Sequence, residues 1–101
     1  MSELDAQLAE MIELPYLEDE SLGYEWDEFR AWYDPKARIF YWGDASGCSC
    51  YYYWSEFHTL GDFQNGHRDA LIRAANDWRP TSESVTSQQF TRFLDAVRAV
   101  K

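Results

Sequence analysis

Residues 39–54 read IFYWGDASGCSCYYYW. Phe40, Tyr41 and Trp42 form one aromatic run, and Tyr51, Tyr52, Tyr53 and Trp54 form a second. Between them lies a small polar stretch that carries both cysteines, Cys48 and Cys50. Aromatic and β-branched residues fit a pleated, half-buried surface, so two strands are expected here. Gly43-Asp44-Ala45-Ser46-Gly47 reads as the loop joining them.

Upstream, residues 26–33 alternate. Phe29, Ala31 and Tyr33 fall on one side, and Glu28, Arg30 and Trp32 on the other, which is a strand pattern. Asp34-Pro35-Lys36-Ala37 is a turn, because Asp favours its first position and Pro fixes φ at its second. A three-stranded antiparallel meander follows: residues 26–33, 38–42 and 48–54.

Helices are expected on both flanks. Over residues 2–13, Leu4, Leu8, Met11 and Ile12 make one apolar stripe, Ser2 with Asp5 can cap the start, and Pro15 ends the helix. Residues 55–63 are ambiguous, and Asn65-Gly66 is a loop signal. Residues 66–78 repeat Leu71, Ala74, Ala75 and Trp78 at helical spacing, with Asn65 or Asp62 as cap. Residues 86–100 carry a Thr86/Gln89 capping box and an apolar face of Phe90, Phe93, Leu94, Val97 and Val100. The expected fold class is therefore α+β: a three-stranded antiparallel β-meander with an N-terminal helix and two C-terminal helices packed on one face. At 101 residues this is a single small domain. It divides into an acidic helix and linker (1–25), the meander (26–54) and a helical part (66–101).

The net charge of −9 is unevenly placed. Residues 1–29 hold ten carboxylates and no Lys or Arg; the remainder holds eight acids and nine bases. Such a chain is a poor direct binder of phosphate backbones. An acidic surface toward a basic partner fits instead, with Glu18, Asp19, Glu20, Glu25, Asp27 and Glu28 as its expected binding residues. The N-terminus MSELDAQLAE has no positive region or apolar run of a signal peptide, and no stretch is long enough to span a bilayer. A reducing cytoplasm is the expected compartment, and the chain a monomer or homodimer.

Cys48 and Cys50 with His58 and His67 give C-x-C-x7-H-x8-H. Two thiolates and two imidazoles complete a tetrahedral zinc site, although C-x-C is tighter than the usual gap. Free thiols and a Cys48–Cys50 disulfide stand beside zinc, and no cofactor is the leading expectation. A cysteine nucleophile paired with His58 or His67, oriented by Asp62 or Asp69, is a weaker pattern, and no catalytic residue is assigned. Stacking of Tyr51, Tyr53 or Trp42 on nucleic-acid bases lacks the basic groove it needs.

Tyr33-Asp34-Pro35, then Tyr41-Trp42, then Ser46-Gly47-Cys48-Ser49-Cys50 resembles a family of small acidic actinobacteriophage proteins of unknown function. Its members share a Y-D-P turn, a Y-W and an S-G-C-S-C signature. In that pattern Pro follows the second Cys; here Tyr51 does. The resemblance implies a viral origin and expression in a bacterial host cytoplasm, and brings no activity. The function expected is a non-enzymatic interaction module that binds and modulates a host protein. That host protein would be a basic nucleic-acid-binding one, engaged by acidic mimicry of nucleic acid. The alternative is a small adaptor or assembly protein with structural zinc or thiols.

Overall fold

A computed structural model describes residues 3–18, 25–48, 57, 59–78 and 87–100. The elements in order are α1 (Glu3–Ala9), β1 (Ile12–Glu13), β2 (Leu17–Glu18), β3 (Glu25–Asp34), β4 (Ile39–Cys48), a 3-10 turn (Leu60–Asp62), β5 (Gln64–Gly66), α2 (Arg68–Trp78) and α3 (Ser87–Ala99). The class is α+β as expected, but with five strands among the described residues rather than three.

The β3–β4 hairpin is the spine. Its ten pairs run from Asp34↔Ile39 at the turn to Glu25↔Cys48 at the far end. The turn forms as its chemistry dictates. The Asp34 carboxylate accepts from the Lys36 and Ala37 amides at 2.9 and 3.3 Å, and the Arg38 amide donates to the Asp34 carbonyl at 2.8 Å. Arg38 closes the turn at φ 59°, the left-handed region.

The expected loop at residues 43–47 does not exist: those residues are the second half of β4, paired with Arg30 back to Trp26. Small residues serve packing here. Ala45 is buried, and Gly43 lies against the rings of Phe57 and Phe63. The expected third strand, 48–54, falls outside the described residues except for Cys48, which ends β4. The described neighbour of β4 is instead β5, whose Gly66, Asn65 and Gln64 pair with Phe40, Tyr41 and Trp42. Pairing across the sheet overrides the Asn-Gly turn preference.

The other edge comes from the stretch read as helix end and linker. The helix stops at Ala9, and its last amides bond to carbonyls three residues back, Glu10 to Gln7 and Met11 to Leu8. Ile12 and Glu13 then pair with Tyr33 and Trp32, and Leu17 and Glu18 with Phe29 and Glu28. From Glu13 to Leu17 the edge advances four residues while β3 advances three, from Trp32 to Phe29. One residue is therefore extra, as in a bulge, with Pro15 inside it. Leu14 still donates to the Ala31 carbonyl at 3.0 Å.

Alternation along β3 sends side chains to two covered faces. On one, Phe29, Ala31 and Tyr33 meet Phe40, Trp42 and the apolar faces of α2 and α3: Leu71, Ala75 and Trp78, and Phe90, Phe93 and Val97. Phe29 sits at the centre, 5.9 Å from Phe93 edge-to-face and 5.8 Å from Trp78. The helices are tied by Arg68, whose guanidinium donates to the Val97 carbonyl at 3.2 Å and to that of Val100. On the opposite face Trp32 packs with Leu4 of α1 and with Phe63. The three helices therefore do not share a face: α1 lies across the sheet from α2 and α3. The residue ahead of α2 is His67, whose carbonyl accepts from Ala70 and Leu71. Asp62 accepts from the Thr59 amide at 3.0 Å instead of capping α2. Thr86, half of the expected α3 capping box, lies outside the described residues.

Candidate functional site

Of the six carboxylates expected to bind a partner, Glu18 and Glu28 are those whose side-chain burial is described, and both are partly buried. Asp19 and Glu20 lie outside the described residues. Glu25 and Asp27 sit on β3 opposite Cys48 and Ser46. Glu18 and Glu28 are direct cross-strand neighbours, a like-charge pair that is unfavourable by itself. Arg30 offsets it. Its Nε is 3.2 Å from Glu28 Oε1, its second nitrogen reaches Glu28 Oε2 at 3.5 Å, and its guanidinium carbon stands 4.8 Å above the Tyr16 ring. With only 12% of its side chain exposed, Glu28 is a structural partner more than a docking group. Glu18 is half-buried, and its amide takes the Gln89 side-chain oxygen at 2.6 Å, tying the edge to α3.

The exposed acids of the first third lie slightly upstream: Glu3 and Asp5 on α1, Glu10 just after it and Glu13 on β1. Glu10 meets Lys36 at 4.0 Å, but both side chains are at least 75% exposed and such a pair contributes little.

Between this acidic element and the sheet is a cleft of about 310 Å³. Trp32, Phe57 and Phe63 form its floor, Leu4 and Leu8 one wall, and Asp5, Glu13 and Arg30 its rim. The floor rings interlock, Trp32 edge-on to Phe63 at 5.4 Å and Phe57 to Phe63 at 4.6 Å. A second cleft, of about 370 Å³, lies on the other face by Trp42 and Trp78, with Asp44, Asp77 and Gln64 beside it. Trp42 is buried there and donates its indole N–H to Gln64 at 2.9 Å, so it is no stacking platform for a base.

Of the four proposed zinc ligands, the two on described backbone, Cys48 and His67, lie far apart along the sheet. His67 follows Gly66, which pairs with Phe40. Cys48 is at the far end of the same strand, eight residues on. At roughly 3.4 Å per residue that is about 27 Å, so one ion cannot be held by both. Cys50 and His58 lie outside the described residues, and among those described no three His, Cys, Asp or Glu side chains converge. Asp69 is exposed in the first turn of α2.

Sequence reasoning missed the cleft. One signal was available: Trp32 shares the polar side of β3 with Glu28 and Arg30, and a Trp there asks for a second layer. What stayed hidden is that Phe57 and Phe63 return to supply it.

The architecture is that of a small α+β domain whose sheet is covered on both faces, with an acidic helix beside a cleft of aromatic floor and charged rim. A family model described as a domain of unknown function (DUF7574) matches residues 5–101, and the chain belongs to that family. No curated protein and no solved structure matches the chain. No helix among the described residues is long and apolar enough to cross a membrane.

Proposed function

We propose that the protein is a non-enzymatic interaction module that binds and modulates a basic partner protein through its acidic first third. In its sharpest form, carboxylates stand in for the phosphates of a nucleic acid toward a basic DNA- or RNA-binding protein. The signature in residues 33–50 supports a phage factor acting in a bacterial host cytoplasm.

The observation that carries this reading is the charge layout: ten carboxylates and no base before Arg30, with Glu3, Asp5, Glu10 and Glu13 exposed along α1 and β1. Exposed charge of one sign steers association and sets its salt dependence.

The test is affinity capture from bacterial lysate with tagged full chain, with and without competing duplex DNA. A basic partner released by DNA supports mimicry. A partner unmoved by DNA keeps the interaction and drops the mimicry. Replacing Glu3, Asp5, Glu10 and Glu13 with Gln or Asn should weaken binding and flatten its salt dependence; unchanged affinity rejects the acidic interface.

A further inference from the structure

We propose that the cleft beside α1 receives one apolar side chain from a partner segment in which that residue is flanked by Lys or Arg. This rests on the acidic-interface reading above and names the place and the chemistry of contact.

The cleft has the parts such an anchor requires. Its floor is aromatic, Trp32, Phe57 and Phe63, and Leu4 and Leu8 wall it on the α1 side. Leu8 and Phe57 are only half-buried, so apolar surface faces the opening. The volume, about 310 Å³, is at the small end of the range for binding pockets, roughly 300–1,000 Å³. That suits a single side chain better than a large cofactor.

The rim sets the charge of the occupant. Asp5 and Glu13 stand on it, both exposed, and the guanidinium of Arg30 is offset by Glu28 at 3.2 Å. Asp5 and Glu13 against Arg30, itself paired with Glu28, leave the opening net negative, which favours a cation there. An anchor flanked by bases satisfies floor and rim together; an acidic or neutral segment satisfies only one.

The surroundings favour a polypeptide over a small molecule. Next to Arg30 lies the ring of Tyr16, 44% exposed, so apolar surface continues from the cleft onto the sheet edge. A chain segment crossing from Tyr16 to Leu8 places one residue over the cleft and its neighbours over Asp5 and Glu13. The larger cleft by Trp42 and Trp78 has no exposed large apolar residue beside it among the described residues.

The experiment is an NMR titration of isotope-labelled full chain with capped pentapeptides. One has a central Leu flanked by Lys and Arg, one a central Gly with the same flanks, and one a central Leu flanked by Glu. The reporter is the Trp32 indole N–H, assigned with Trp32→Phe. The Leu peptide with basic flanks should shift it saturably and bind about tenfold tighter than either control. Asp5→Asn with Glu13→Gln, a surface change, should weaken that peptide about tenfold. Leu8→Gln should do the same at the wall.

Equal binding of the Gly peptide overturns the pocket and leaves the acidic interface standing. An unmoved Trp32 resonance, or no binding at millimolar peptide, overturns the pocket as well. Lysate capture separates the two readings: a partner retained by Leu8→Gln but lost from the Asp5/Glu13 variant means charge without an anchor.

Discussion

Gly43 lies directly against Phe63: a Cβ added at residue 43 would stand 3.3 Å from the Phe63 ring, and 3.2 Å from that of Phe57. The absence of a side chain in mid-strand is what lets Phe57 and Phe63 close over the sheet. Gly43→Val should therefore cost about 1–3 kcal/mol, as overpacking does. Gly61→Ala, whose nearest neighbour is the Thr59 hydroxyl at 3.4 Å, should be nearly neutral. Urea midpoints of the two variants check the contrast.

Arg38 holds φ 59° at the end of the β3–β4 turn, a conformation that costs a residue with a Cβ roughly 1 kcal/mol. Its side chain is exposed. Arg38→Gly should raise stability by about 0.5–1 kcal/mol, and Arg38→Val should lower it by more. The sign difference between them is the measurement.

Arg30 pairs with Glu28, which faces Glu18 across β2 and β3. Arg30→Ala removes that ion pair and uncovers Tyr16, so it should cost about 1–2 kcal/mol. Glu28→Gln relieves the repulsion while weakening the bond, and should cost less. The deficit of Arg30→Ala should shrink in high salt. A denaturation series in NaCl reads both.

Arg68 secures the last turn of α3 through the Val97 and Val100 carbonyls. Arg68→Ala should cost about 1–2 kcal/mol. Hydrogen exchange should quicken first in the last turn of α3. Lys at 68 should recover part of the loss, since an ammonium lacks the guanidinium fork.

The register puts His67 and Cys48 at opposite ends of β4, about 27 Å apart at roughly 3.4 Å per residue. Zinc content of protein purified without a metal column should therefore be the same for wild type and His67→Ala. A drop on that substitution would contradict the strand pairing.

Several elements were legible because local chemistry decides them. Asp34-Pro35 imposes its turn wherever it stands between strands, and the helical spacing of Leu71, Ala75 and Trp78 needs no partner to be read. The misread elements are those decided at a distance. Gly43-Asp44-Ala45-Ser46-Gly47 has loop composition, yet it pairs along β3, and its Gly43 lies against Phe57 and Phe63. Gln64-Asn65-Gly66 has turn composition, yet it pairs with β4. The side of the sheet chosen by α1 follows from Trp32, whose partner Phe63 is thirty-one residues away in sequence. The candidate site was half legible: charge located the acidic third, while the cleft needed Phe57 and Phe63 to return over the sheet.

The extra residue around Pro15 on the outer lane has a further consequence. A second copy approaching that flank in extended form would meet a proline with no N–H to offer, a local twist, and the carboxylates of Glu13 and Glu18 on either side. Strand-by-strand accretion into cross-β stacks is disfavoured at this border.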